Sequence, residues 1–282
     1  MAVTNYLRNW FQNRRQNARP AKTAFDFYSI GYPKTGNTWT RILLGSYVRS
    51  LHNLPELPLF DPVEMAELKS RGYDGPTGIF THQPLEWSDQ DSGELTFQNV
   101  IAPFLEQKVI LLVRHPLDTL VSSFMHWKHR STPQYSGTLR DFVSDPVFGL
   151  DKLLRFYQLW ADHHTAVGSF LCARYEDTHR DTTGQLSRLV AFLEERVDEN
   201  AIRDAVSFSS FENLKGLEAS GTRLVYKSSG FHAFGDGDRS NPDAFHIRNG
   251  KVAGYRTELP PEIIADLEER VQAEMPQIYG YT

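Results

Sequence analysis

The chain has 282 residues, of which 40% are hydrophobic and 23% are charged, and its formal net charge is −5. The length suits one large α/β domain or two small ones, and the composition is typical of a globular protein and excludes a disordered chain. The acidic balance argues against a protein that binds along duplex nucleic acid, so any basic patch must be local and suited to a small anionic ligand.

The composition also bears on the compartment and the ends of the chain. The single cysteine, Cys172, excludes an intrachain disulfide and favours a reducing compartment, so we expect a cytoplasmic protein. No apolar run approaches the ~18 residues of a membrane-spanning helix, and we expect no integral membrane association. Residues 1–24 are basic and contain no acid, and we interpret them as a leader before one domain over residues 25–282. Three interpretations of this leader stay open: a docked helix, a targeting peptide and a membrane-surface helix.

Strands and helices alternate along the predicted domain. Stretches rich in β-branched and aromatic residues predict strands at 25–30, 78–81, 109–113 and 169–174. Apolar residues at helical spacing predict helices near 38–51, 117–130, 138–145, 151–167, 185–197, 199–206 and 262–273. Turn-forming residues predict irregular structure over much of 52–80 and a long loop over 216–247. This order predicts an α/β fold with a central parallel sheet flanked by helices in a single domain.

The segment between the first strand and the first helix is a candidate phosphate site. Unpaired N–H groups and the helix dipole attract anions at a helix start. Gly36 lets an anion approach the backbone, Lys34 supplies a positive charge, and Thr35 and Thr38 supply hydroxyls.

This loop differs from the Walker A loop of nucleoside triphosphatases. In Walker A the lysine follows the second glycine, whereas Lys34 precedes Gly36. The strand at 109–113 ends in Arg114, where a Walker B strand would have Asp. The magnesium-binding residues of a nucleoside triphosphatase are therefore not expected.

The loop Tyr32-Pro33-Lys34-Thr35-Gly36-Asn37-Thr38-Trp39 resembles the 5′-phosphosulfate loop of the cytosolic-type sulfotransferase family. The resemblance implies a P-loop-like fold and an enzyme that uses 3′-phosphoadenosine 5′-phosphosulfate (PAPS), releases 3′-phosphoadenosine 5′-phosphate (PAP) and needs no metal. It also implies that the co-substrate is bound by the loop residues Lys34, Thr35, Gly36, Asn37, Thr38 and Trp39.

Two further segments resemble the 3′-phosphate segments of this family. The first runs from Arg114, at the end of a strand, to Ser122 in the next helix. The second contains Arg248, Asn249 and Gly250, and it departs from the family pattern because Asn249 stands where Lys is commoner. The resemblance implies that these five residues hold the 3′-phosphate.

Two shorter matches concern the nucleoside. Arg174-Tyr175-Glu176-Asp177 resembles the family segment whose Tyr lines the nucleotide site, and Ser209-Ser210-Phe211 resembles the segment that contacts adenine. The resemblance therefore adds Tyr175, Ser209 and Phe211 to the predicted site, and Trp39 would offer an aromatic surface to the base.

The candidate general base is His82, one of 10 histidines. It stands between the phosphate loop and the Arg114 strand, where the family has a Lys-Thr-His segment, and the resemblance implies that it activates the acceptor while Lys34 stabilises the leaving phosphate. The position of the family lysine is taken here by Phe80. His115 is interpreted as structural, whereas His126 and His129 are candidates for the edge of the acceptor pocket.

The acceptor is predicted to be a small molecule with a hydroxyl, in preference to an amine. Aromatic residues in the segments expected around the pocket favour an apolar or ring-bearing acceptor, although core packing would also select them. They are Trp87, Phe124, Trp127, Tyr135, Phe142, Phe148, Phe231, Phe234 and Phe245.

Two questions stay open at this point. A P-loop kinase of a small molecule and a catalytically silent nucleotide-binding protein of the same fold are the alternatives to a sulfotransferase. The oligomeric state is open between monomer and homodimer.

A calcium site is not expected. The Asp236 and Asp238 region lacks the Gly and Glu of a calcium loop and is interpreted as loop.

Overall fold

The computed structural model describes residues 25–82, 90–131, 134–230, 232–235, 238 and 240–281. The predicted leader at 1–24 lies outside the described residues, so the division at residue 25 stays a prediction. Trp87, Phe231 and Asp236 also lie outside the described residues.

A parallel sheet of four strands lies at the centre of the described chain, in the order β2-β1-β3-β4. The strands are β1 (Phe27–Gly31), β2 (Gly78–Thr81), β3 (Lys108–Val113) and β4 (Ser169–Arg174). All three pairings are parallel. The predicted α/β fold with a central parallel sheet is therefore confirmed, and the strands at 78–81 and 169–174 have the predicted bounds.

The apolar run of β3 explains its place inside the sheet. Residues Val109–Val113 are all buried, as is typical of a parallel strand that is covered on both faces. Cys172 on β4 pairs with Leu111 of β3. Burial raises the pKa of the Cys172 thiol to about 12, so the thiol stays protonated near neutral pH.

Helices fill the connections between the strands and the remainder of the chain. They are α1 (Asn37–Leu51), α2 (Pro62–Ser70), α3 (Phe97–Val100), α4 (Pro116–His129), α5 (Leu139–Val143), α6 (Leu150–His163), α7 (Tyr175–Arg180), α8 (Thr182–Phe192), α9 (Glu199–Phe208), α10 (Phe211–Ala219), α11 (Tyr255–Glu258) and α12 (Pro261–Glu274). A two-stranded antiparallel hairpin joins β5 (Leu224–Val225) to β6 (His232–Phe234). Among the described residues, none of the helices is long and apolar enough to cross a membrane.

Three sequence predictions of helices and loops were wrong. The segment 52–80, predicted to be largely irregular, contains helix α2, which Asp61 caps by accepting hydrogen bonds from the N–H groups of Val63 and Glu64. The predicted helix 185–197 ends at Phe192, since Glu194 adopts a left-handed backbone with φ 61°. The predicted loop 216–247 begins inside α10 and contains the β5–β6 hairpin.

The order of the strands creates a crevice at one edge of the sheet. From β1 the chain crosses to β2 on one side and then returns to β3 on the other, which makes β1 a topological switch point. In parallel sheets of this kind, ligands bind beyond the carboxyl ends of the strands at such a point. The phosphate loop follows β1, His82 follows β2, Arg114 follows β3 and Tyr175 follows β4.

The sheet's stability should depend on the apolar side chains of β3. We expect Leu111→Ala to lower the free energy of unfolding by about 2–5 kcal/mol, because Leu111 is fully buried and truncation leaves a cavity. Chemical denaturation measures this. Leu105→Ala is the matched control, since Leu105 is 39% exposed and should lose less than about 1 kcal/mol. Equal losses in the two variants would contradict the described packing.

Candidate functional site

The phosphate loop is a tight turn with left-handed backbone at two positions. Lys34 has φ 77° and Gly36 has φ 109°. The hydroxyl of Thr35 donates to the Tyr32 carbonyl over 2.7 Å, so this hydroxyl holds the turn together, and Thr35 is buried. Helix α1 begins at Asn37, which places its first N–H groups at the end of the loop. A non-glycine residue in the left-handed region is strained, and such strain clusters at binding sites.

One cavity of about 170 Å³ lies beyond the carboxyl ends of the strands. With the exception of Thr35, it is lined by every residue that the sequence predicts for the site: Lys34, Gly36, Asn37, Thr38, Trp39, His82, Arg114, Ser122, Tyr175, Ser209, Phe211, Arg248, Asn249 and Gly250. Segments that are far apart in sequence therefore meet at the carboxyl edge of the parallel sheet.

His82 contacts both β1 and the first residue of α1. Its Nδ1 is 2.7 Å from the carbonyl oxygen of Gly31. A carbonyl only accepts hydrogen bonds, so this contact assigns the proton to Nδ1 and leaves Nε2 as an acceptor. The amide nitrogen of Asn37 lies 3.1 Å from Nδ1 and 3.3 Å from Nε2. Because this nitrogen only donates, it can bond to Nε2 in this tautomer and not to Nδ1. The imidazole is thus held beside the phosphate loop in the tautomer that a base at Nε2 requires.

Arg114 joins the phosphate loop to residues 248–255, called the C-terminal segment below. Its guanidinium donates to the Lys34 carbonyl over 3.3 Å and to the Lys251 carbonyl over 3.4 Å. It also lies over the ring of Tyr175, 4.3 Å from the ring centroid. The hydroxyl of the buried Tyr157 bonds to both the N–H and the carbonyl of Arg114 and so fixes its backbone. The guanidinium is therefore anchored in the cavity wall by three contacts.

The C-terminal segment is fixed by buried contacts on both sides. The Asp118 carboxylate accepts hydrogen bonds from the N–H groups of Ala253 and Tyr255 over 2.8 and 2.9 Å. At Gly250, φ is 63°, and an added Cβ would lie 2.5 Å from the ring of Phe211. Glycine is therefore required at residue 250 by both backbone conformation and space.

Aromatic side chains form part of the cavity wall. The Trp39 indole donates to the Ser209 carbonyl over 3.0 Å and packs edge-on against Tyr175, with ring centroids 5.4 Å apart. The ring centroids of His179 and Trp39 are 6.5 Å apart. The Ser209 hydroxyl donates to the Ala205 carbonyl of its own helix. The part that Ser209 presents to Trp39 is thus its backbone.

The sequence analysis missed several residues of the cavity wall. Asp118 and Val121 stand between Arg114 and Ser122, so the first 3′-phosphate segment could have indicated them. The other missed residues are Lys251, His179, Leu214, His246, Ile247, Gly254 and Glu258.

Phe80 lies in the core and not in the cavity wall. Its ring is 5% exposed and packs against Phe27 and Phe60. The buried guanidinium of Arg41 lies over this ring, 5.1 Å from its centroid, and donates to the Phe80 carbonyl over 3.0 Å. Phe80, which stands where the sulfotransferase pattern has lysine, therefore stabilises β2, the strand that directly precedes His82.

Most of the aromatic residues considered for the acceptor pocket pack on one another. The rings of Phe124, Phe142 and Tyr135 form one cluster, and Phe148 stacks on Phe142 at 5.4 Å. Trp127 packs against Phe148 at 4.7 Å. Core packing accounts for these five residues, which do not line the main cavity.

A second, smaller cavity of about 20 Å³ lies against Lys34 and Ser122. Its wall includes His126 and Phe245. Burial, with a smaller effect from the charge of Lys34, lowers the pKa of His126 to about 2, so this imidazole is neutral at physiological pH. His129 contacts Asn241.

The predicted structural role of His115 agrees with its contacts. His115 caps α4 by accepting from the Leu117 N–H, and its ring stacks on Tyr255 with centroids 4.9 Å apart. Burial lowers the pKa of His115.

Among the described residues, no group of three or more His, Cys, Asp or Glu side chains has the arrangement of a metal site.

Comparisons with known proteins agree on one family. The sulfotransferase domain model matches residues 26–278. The amine sulfotransferase of Oryctolagus cuniculus is 25% identical over 264 residues, which cover 89% of this chain and 80% of the relative. Cytosolic sulfotransferase 17 of Arabidopsis thaliana is 25% identical over 276 residues, which cover 86% and 72%.

Two solved structures share the fold. The mouse sulfotransferase SULT7A1 complexed with PAP has a TM-score of 0.57 and 21% identity, over 90% of this chain and 84% of that one. Retinol dehydratase in complex with androsterone and PAP has a TM-score of 0.59 and 17% identity, over 90% and 81%. The family model spans the sheet and every predicted site residue. The chain therefore belongs to the sulfotransferase domain family, as the ordered motifs of its sequence predict.

Proposed function

We propose that this protein transfers the sulfuryl group of PAPS to a hydroxyl of a small molecule, with His82 as the general base. The observation that carries the proposal is the contact between His82 Nε2 and the side-chain nitrogen of Asn37, at 3.3 Å, because it brings the candidate base against the first residue of the helix that follows the phosphate loop. A base beside a phosphate site is the arrangement that group transfer from a phosphosulfate requires.

The 5′-phosphosulfate is proposed to bind at the start of α1. The N–H groups there and Gly36 form the anion site, and Lys34 lines the same wall. During transfer, the acceptor oxygen forms a bond to sulfur while the bond from sulfur to the bridging oxygen breaks. The leaving 5′-phosphate of PAP gains negative charge at that oxygen, and the Lys34 ammonium would stabilise it.

His82 is proposed to take the proton of the acceptor hydroxyl at Nε2. The Gly31 carbonyl orients the ring through Nδ1, so the base is positioned and in the required tautomer before the acceptor binds. A free alcohol is a poor nucleophile at neutral pH, and proton removal in the transition state increases its reactivity.

The remaining cavity residues are proposed to bind the 3′-phosphate and adenosine. Arg114 and Arg248 offer guanidinium groups to the phosphate, and Ser122, Asn249 and Gly250 line the same wall. Trp39, Tyr175 and Phe211 offer aromatic surfaces on which the adenine base can stack, and Ser209 lines the same cavity.

The acceptor is proposed to be an apolar or ring-bearing alcohol, with an amine as the less favoured option. The aromatic cluster around Phe142 is core, so it no longer supports this proposal, whereas Phe245 does line the smaller cavity. Among the similar proteins, one is named an amine sulfotransferase and another is complexed with androsterone. We also propose a cytoplasmic location, which the single cysteine and the cytosolic sulfotransferase among the relatives support. The oligomeric state stays open between monomer and homodimer.

The function is tested by incubating the protein with labelled PAPS and panels of alcohols, phenols, sugars and amines. We expect label in an alcohol or phenol without added metal, and binding of PAP by calorimetry. Magnesium-dependent transfer from ATP would instead support the small-molecule kinase. Binding of PAP with no transfer to any acceptor would support the catalytically silent alternative.

His82→Ala tests the base. We expect kcat to fall about 10²–10⁴-fold, since proton abstraction is lost, while the affinity for PAP is largely retained. Steady-state kinetics and calorimetry measure the two effects. His164→Ala is the control, because His164 precedes β4 at the opposite end of the sheet. A His82→Ala enzyme with full kcat would exclude this mechanism.

Lys34→Ala tests the stabilisation of the leaving group. We expect kcat to fall about 10²–10³-fold, because charge on the leaving phosphate is no longer offset in the transition state. Lys69→Ala is the matched control, since Lys69 is exposed and pairs with Asp26 before β1. If Lys34→Ala raised only the KM for PAPS, Lys34 would bind the ground state and the transition state equally, contrary to the proposal.

A further inference from the structure

Two carboxylates lie in the wall of a cavity that is otherwise suited to anions. The wall contains the cations Lys34, Arg114, Arg248 and Lys251, together with the acids Asp118 and Glu258. Asp118 has a structural task, because its two oxygens accept hydrogen bonds from backbone N–H groups of Ala253 and Tyr255. Glu258 differs, since its partners are side chains that the sequence assigns to phosphate binding.

The contacts of Glu258 are short and partly shielded from water. Arg248 Nη2 donates to Glu258 Oε1 over 2.8 Å, and the Asn249 amide donates to the same oxygen over 3.2 Å. The side chains of Arg248 and Glu258 are 18% and 15% exposed, so salt screens their interaction less than it screens a surface pair. The other guanidinium nitrogen of Arg248, Nη1, is 3.7 Å from the carboxylate of Asp243.

The fold holds Glu258 in this position. It is the last residue of α11, and the start of α11 is anchored to α4 through the bond between the Tyr255 N–H and Asp118. The Tyr255 hydroxyl also donates to Glu268 of α12 over 2.6 Å. Glu258 therefore belongs to a fixed turn and is not on a free surface loop.

A phosphate monoester and this carboxylate compete for the same donors. A phosphate monoester carries a charge between about −1.5 and −2 at pH 7 and forms strong hydrogen bonds to guanidinium groups. A phosphate bound by Arg248 and Asn249 would either displace Glu258 or lie beside its negative charge, and either outcome costs binding free energy.

We propose that Glu258 is a competitor for the 3′-phosphate, built into the nucleotide site, and that it weakens the binding of nucleotides that carry this phosphate. The inference rests on the proposed function. Its consequence is a lower affinity for PAP than the cationic wall would otherwise give, and therefore faster release of this product after transfer.

The test compares nucleotides with and without the 3′-phosphate on Glu258→Gln. Glutamine keeps the size of the side chain and an oxygen that accepts from Arg248, so it removes the charge and retains the contact. By calorimetry we expect the Kd for PAP to fall about three- to tenfold, and the Kd for adenosine 5′-phosphate to change less than about twofold. Glu262→Gln is the matched control, because Glu262 is 62% exposed and pairs with Arg140, and it should leave both values unchanged.

Glu258→Ala gives a second, independent readout. It also removes the charge, so the proposal predicts tighter PAP binding in this variant as well. If Glu258 served instead to orient Arg248, the alanine variant would bind PAP more weakly and the glutamine variant would match the wild type, and that pattern would overturn the inference. A wild-type protein that binds no PAP would overturn the proposed function and the inference together, whereas normal wild-type binding with no gain in either variant would overturn the inference alone.

Discussion

Parallel pairing of the four central strands determines where the chemistry of this protein can lie. Because every pairing is parallel, all four carboxyl ends meet at one edge of the sheet. The reversal of direction at β1 leaves a crevice there. Each strand then delivers one part of the site to this edge: the phosphate loop, His82, Arg114 and Tyr175. The buried apolar strand β3 is therefore as much a requirement of the site as the polar groups themselves.

Side-chain contacts then convert four separate strand ends into one cavity. Arg114 connects the phosphate loop to the C-terminal segment and lies on Tyr175, while Asp118 holds the backbone of that segment. The cations of the cavity wall are proposed to bind the phosphates. Two acids contact this wall, since Asp118 holds backbone N–H groups and Glu258 pairs with Arg248. The proposed competition by Glu258 would suit an enzyme that must release a doubly phosphorylated product after each turnover.

The sequence predicted those parts of the fold and the site that depend on local pattern. The apolar runs gave the strands, and the lysine order of the loop separated it from Walker A. Local pattern could not predict features that depend on tertiary contacts, such as the packing of Phe80 in the core, the bond from Thr35 to Tyr32 and the pairing of Glu258 with Arg248. Helix α2 was missed because Asp61-Pro62 occurs both in turns and at helix starts, and only the hydrogen bonds to Asp61 distinguish them.

A crystal structure of the protein with PAP would show whether both phosphates bind at the carboxyl edge of the sheet. We expect the 5′-phosphate at the start of α1 beside Lys34, the 3′-phosphate between Arg114 and Arg248, and His82 Nε2 directed toward the side of the 5′-phosphate where an acceptor would lie. PAP bound elsewhere, or a 3′-phosphate that contacts neither arginine, would exclude this site.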